Sequence, residues 1–153
     1  MALEQRATGI VQRKGKGAGA QSPAGEPTRP RSFQDLKAWQ VCREVRRRMS
    51  ALMKELTPRE RFRLADQVVR ASRSATANLA EGYGRFQYPD MVHFARQTRG
   101  SLYELLDHLT VALDEGYIAR ARFDQEASHV QQAIQLVNGF IRFLRRRQEA
   151  TEG

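Results

Sequence analysis

The sequence predicts an all-α protein, an up-down-up-down antiparallel four-helix bundle behind a disordered basic N-terminal tail. Three observations carry that expectation. From Phe33 onward apolar residues recur every three to four positions, and no strand-like alternation persists. Turn residues and a capping signature cut this region into four periodic stretches joined by short connections, the pattern of an antiparallel bundle. Residues 1–32, by contrast, hold 5 of the 11 glycines, prolines 23, 27 and 30, and almost no large apolar side chains. Such a segment buries too little surface to offset its ordering entropy.

The first helix is expected from about Phe33 to Leu56, with Ala38, Cys42, Val45, Met49, Leu52 and Leu56 on one stripe. Thr57-Pro58-Arg59-Glu60 then reads as a capping box, with Thr57 as N-cap and proline at the first helical position. The second helix turns Leu64, Val68, Ala71, Ala75 and Leu79 inward and ends at Gly82 and Gly84, residues suited to the left-handed conformation of a helix C-terminus. Pro89 opens the third, with Met91, Ala95, Thr98, Leu102, Leu105, Leu109 and Leu113 inward, and Gly116 ends it. The fourth covers about Ala119 to Arg147, with Phe123, Ala127, Val130, Ile134, Val137, Ile141 and Leu144 inward. The domains are therefore a tail at 1–32, a bundle at 33–147 and a C-terminal tail at 148–153. Trp39, Phe86, Tyr88, Tyr103, Val111 and Leu136 fall outside the stripes and suggest a self-association surface, although scattered exposed apolar residues are common.

Charge is the informative deviation. The chain has 153 residues, 26 Lys plus Arg against 17 Asp plus Glu, and a net charge of +9. The lysines are only Lys14, Lys16, Lys37 and Lys54, so the excess is arginine, a planar and permanently charged group that contacts phosphate bidentately. That balance points to a polyanionic partner, RNA or DNA, while GC-rich codon usage is the bland alternative. At 100° per residue Arg59, Arg63, Arg70 and Arg73 lie within an ~80° arc opposite the apolar face of the second helix, interrupted only by Asp66. Arg43, Arg46 and Arg47 cluster on the first helix, Arg96 and Arg99 on the third, and Arg142, Arg145 and Arg146 on the fourth. Arg85 stands beside Tyr83, Phe86 and Tyr88, which could stack on unpaired bases or pack a helix turn. Arg43, Arg46, Arg47, Arg59, Arg63, Arg70, Arg73, Arg85, Arg96 and Arg99 are the candidate nucleic-acid contacts, against the alternative of a solvated face. No helix-turn-helix, zinc-finger or RNA-recognition signature is present, so readout would be of phosphate and shape.

A metal-dependent bundle enzyme is the competing class. Glu126-x-x-His129 fits a di-iron motif once, and Asp90-x-x-His93 is a degenerate second match. His93 projects away from the inner face, the first two helices offer no inward glutamate, and Glu104 with His108 lacks a third ligand. The expectation is a nonenzymatic chain without catalytic residues, metal or cofactor. With one cysteine, Cys42, and no membrane-length apolar run or signal peptide, a reduced cytoplasmic setting is expected.

The stretch LADQVVRASRSATANLAEGYGR, Leu64 to Arg85, is the most distinctive, through Leu64, Gln67, Arg70-Ala71, Ser74, Asn78 and Ala80-Glu81-Gly82-Tyr83-Gly84-Arg85. With Phe33-Gln34-Asp35-Leu36, Trp39, Gly100-Ser101-Leu102-Tyr103-Glu104-Leu105 and Gly116-Tyr117-Ile118, it resembles the four-helix bundle family first known from intervening sequences in bacterial 23S ribosomal RNA genes. The resemblance covers about residues 33–146, departs at Ala119 where a capping serine is common, and has no counterpart for the tail. It implies a four-helix bundle assembled into a homopentamer. Members include the accessory variability determinants of diversity-generating retroelements, basic nonenzymatic partners of a reverse transcriptase that bind nucleic acid; others have no established activity. The expected function is such an accessory factor, helping a reverse transcriptase engage template RNA. The alternative is an assembly module without a nucleic-acid partner. Physically, most of the signature reads as structural: Gln67 and Asn78 hydrogen-bonding across the bundle, Ala71, Ser74, Ala75, Ala80 and Gly100-Ser101 permitting close approach, and Glu81 pairing with Arg85.

Overall fold

Ser32 opens the helical region of the computed structural model, which describes residues 30–153. Its hydroxyl accepts from the Gln34 amide at 3.2 Å while the Asp35 carboxylate accepts from the Ser32 amide at 3.1 Å. That reciprocal cap closes a short 3-10 turn, Phe33–Asp35, rather than starting a long helix. Leu36 is extended (φ −68°, ψ 122°), and α1 begins after it, Lys37–Glu55. The expected first helix, Phe33 to Leu56, is thus a turn and a helix, split because Ser32 and Asp35 satisfy the backbone donors locally. The break lets Phe33 meet Trp39 edge-on, with ring centroids 5.3 Å apart. Trp39 is 8% exposed and belongs to the core, not to the outward set in which its spacing placed it. The tail expected at 1–32 lies outside the described residues except for residues 30–32, which belong to the fold: the Tyr83 hydroxyl donates to the Pro30 carbonyl at 2.9 Å.

The Thr57 capping box forms as expected and opens α2, Pro58–Gly84. Its end differs from the expectation. Gly82 stays helical, and its bare side admits α3, Tyr88–Asp114: a Cβ on Gly82 would stand 2.9 Å from the Phe94 Cβ and 3.3 Å from the Met91 Cα. The left-handed residue is instead Phe86, at φ 58°. Gly82→Ala is therefore expected to destabilise the fold by about 1–3 kcal/mol through overpacking, read from chemical denaturation. Gly116, at φ 73°, does take the left-handed position after α3.

The fourth helix, α4, spans Arg120–Glu152. It starts behind Ala119 without a side-chain cap and runs five residues past Arg147, so the expected C-terminal tail at 148–153 is helical up to Gly153. No breaker intervenes, and Gln148 Nε2 donates to Glu152 Oε1 at 3.0 Å along that last stretch.

Each helix packs against two others: α1 on α2 and α4, α3 on α2 and α4. The inward stripes read from the sequence are buried, with Met91, Leu113 and Phe123 half-buried at their edges. Along the α2–α3 seam the Thr98 hydroxyl donates to the Ala75 carbonyl at 2.8 Å and Ser101 donates to the Ser74 hydroxyl at 2.9 Å. These contacts, with Gly82 against Met91 and Phe94, fasten α2 to α3. Asn78 bonds within α2, to Ser74, and Gln67 is exposed, so neither spans the helices as expected. Gly100 is no close-approach residue either, since a Cβ there would meet nothing within 4 Å. Cys42 is fully buried on α1, and desolvation pushes its thiol pKa to about 12. Among the described residues no helix is long and apolar enough to cross a membrane.

Candidate functional site

The ten candidate arginines fall into three places. Seven lie on α1 and α2, those of α2 exposed on one outward face. Arg46 Nη1 donates to the Thr76 hydroxyl at 2.8 Å, and that hydroxyl donates to the Arg73 carbonyl at 3.1 Å, so Arg46 of α1 meets α2 one turn from Arg73. Arg43 lies over the Trp39 ring, 5.8 Å from its centroid, and Arg47 is exposed. Arg59, Arg63 and Arg73 are exposed, and their side chains make no hydrogen bond or ion pair among the described residues. Arg70 alone on this stripe is paired, to Asp66 at 3.0 Å, and both partners are largely exposed. Such a solvent-screened pair contributes roughly 0–1 kcal/mol and is readily exchanged for another anion. The interruption by Asp66 is therefore partial neutralisation of one arginine, not a break in the face.

Arg85 is apart from that face, at the α2–α3 turn. It pairs with Glu81 at 2.9 Å, as the spacing suggested, and its guanidinium lies 5.6 Å from the Phe94 ring centroid. Tyr83 there is half-buried with its ring 6.0 Å from Phe86, which is 74% exposed. Arg96 and Arg99 occupy α3. Arg99 reaches across to α4, donating to Asn138 Oδ1 at 3.0 Å, and is half-buried, while Arg96 is exposed.

Periodicity missed a fourth group. Glu126 on α4 is a buried carboxylate, 1% exposed. Arg48 of α1 grips it from Nε at 2.9 Å and Nη2 at 3.0 Å, and Arg122 adds a third bond at 2.9 Å. Arg122 also binds Glu55 at 2.8 Å and 3.2 Å, closing a four-residue network between α1 and α4. Burial pushes the Glu126 carboxyl upward, but the hydrogen bonds and charges of Arg48 and Arg122 more than offset it, so the group is held below the ordinary value of 4.5. The signal was present: Glu126 lies four residues before Val130 on the inward stripe, with Arg122 one turn earlier. The Glu126-x-x-His129 pattern thus marks a carboxylate held by two guanidinium groups. The Glu104–His108 pair is a 3.3 Å contact on the α3 surface. No cluster of three or more potential metal ligands occurs among the described residues.

Against known proteins, a profile of the 23S rRNA-intervening sequence protein family matches residues 34–139. A solved structure, a protein with unknown function from the S23 ribosomal protein family of Bacteroides thetaiotaomicron, is similar with a TM-score of 0.65 and 19% identity. The similarity covers 69% of this chain and 95% of that one and shows a shared fold. No curated protein matches the chain. The match spans most of the helical region, including the Leu64–Arg85 signature, and the chain belongs to the 23S rRNA-intervening sequence protein family.

Proposed function

We propose that this chain is a nonenzymatic nucleic-acid-binding accessory protein. In this reading its helices form an up-down-up-down bundle that assembles as a homopentamer, and its α1–α2 face holds the phosphates of RNA. The observation that carries the reading is one-sidedness: Arg59, Arg63 and Arg73 are exposed on one face of α2 with no carboxylate on their side chains, and Arg46 of α1 meets that helix one turn from Arg73. Exposed cations held at helical spacing meet successive phosphates and gain affinity from released counterions, and ring symmetry multiplies each contact. The setting that the accessory-determinant resemblance suggests is a diversity-generating retroelement, with a reverse transcriptase as protein partner and template RNA as the bound strand.

The test is fluorescence anisotropy of a structured RNA with the full chain across a salt series, alongside sedimentation analysis. Micromolar or tighter binding that weakens steeply with salt is the expected result. Absence of binding at low salt favours the second reading, a plain assembly module. That reading draws on the exposed apolar side chains, Phe62 at 88% and also Tyr103, Leu136 and Phe143. A monomer in sedimentation overturns the assembly part of the proposal.

A further inference from the structure

On α3, away from the α1–α2 face, six residues line an open surface depression: His93, Arg96, Gln97, Arg99, Gly100 and Tyr103. Its chemistry is specific in three respects. Gly100 leaves the floor bare, because nothing stands within 4 Å of where its Cβ would be. Tyr103 presents its ring to solvent at 57% exposure, a flat π-surface beside that floor. Arg99 is half-buried and already oriented by Asn138 of α4, which fixes a guanidinium at the rim before any ligand arrives. No carboxylate lines the depression; Glu104, the next residue along, is turned onto His108 at 3.3 Å. On the α4 side Arg142, one turn beyond Asn138, lies over Gly139, with its Nη2 3.7 Å from where a Cβ on that glycine would stand.

We propose that this depression is a subsite for one unpaired nucleotide of a single-stranded RNA. The base stacks on Tyr103 over the open backbone at Gly100, Gln97 meets the base edge, and Arg96 and Arg99 hold the flanking phosphate. An exposed aromatic ring beside cationic side chains is what stacking recognition of an unpaired base uses. Being a stacking site, it tolerates any base and responds less to salt than the α1–α2 face does. The inference rests on the reading of the chain as an RNA binder and adds to it a place where a strand must be unpaired.

Gly100→Leu is the deciding variant, because it fills the floor while improving helix propensity at an exposed position, so the fold is retained. Full-length protein is titrated with a fluorescent tetrauridylate and with a long structured RNA. Gly100→Leu and Tyr103→Ala are each expected to weaken tetrauridylate binding about tenfold, the order of one lost base stack, while Tyr103→Trp keeps it. A tetrauridylate affinity unchanged in Gly100→Leu, with the long RNA still bound, overturns the subsite and leaves the proposed function standing. Failure of the wild-type chain to bind either RNA overturns both. If Gly100→Leu changes the oligomeric state instead of RNA affinity, the depression is a contact between copies and the subsite assignment is wrong.

Discussion

Glu126→Ala is expected to destabilise the protein by about 3–5 kcal/mol, the range seen when one partner of a buried ion pair is removed. The wild-type carboxylate is 1% exposed and accepts three hydrogen bonds from two guanidinium groups of different helices. Truncating it leaves Arg48, packed into the α1–α4 seam, with its main anion gone. Arg122 keeps Glu55, so the loss concentrates on Arg48. Denaturant titration checks the magnitude, and Arg48→Met combined with Glu126→Leu is expected to recover most of it, since an apolar pair of similar volume avoids the unpaired charge. The same residue sets an acid dependence. Its folded pKa lies below 4.5, so the stabilisation is fully present above the unfolded value and drains away as pH falls through the lower folded value. In Glu126→Gln that component of the acid sensitivity is absent.

Replacing Arg59, Arg63 and Arg73 together with glutamine is expected to flatten the salt dependence of RNA binding without loss of helicity. These side chains are exposed and make no hydrogen bond or ion pair among the described residues, so their removal leaves no buried group unsatisfied. Each cation that neutralises a phosphate contributes about 0.7 to the slope of log K against log salt for a single strand. Three of them account for a slope of about 2. Between roughly 0.05 and 0.2 M salt the wild type then loses about twentyfold more affinity than the variant. An unchanged slope removes this face from the proposed function, whatever the affinity does. Arg70 is left intact because Asp66 already competes for it, and its substitution would mix a lost phosphate contact with an unpaired carboxylate.

The helical pattern was legible because burial alone generates it. The stripe residues of α1 and α2 are buried as spacing required, and the Thr57 cap and the Gly116 turn sit where local chemistry placed them. Spacing failed where two elements share a constraint. Trp39 lies off the α1 stripe, and its burial depends on a turn that bends Phe33 back onto it. Gly82 looked like a stop, yet its missing side chain serves the approach of α3. The candidate site was legible only as helix faces. Arg59, Arg63 and Arg73 needed no partner to be placed correctly, whereas the sequence could not tell Arg46 and Arg99, held by Thr76 and Asn138, from their solvated neighbours. Arg48, missing from every expected cluster, is committed to the fold by a partner that lies 78 residues away.

Cys42 gives this fold an intrinsic clock. Burial leaves the thiol without accessible surface and pushes its pKa up, so both access and thiolate formation are suppressed while α1 is in place. Its reaction with a thiol-specific probe therefore counts excursions in which α1 leaves its neighbours. Followed with and without RNA, one cysteine reports how strongly a ligand on the outer arginines damps the breathing of the interior.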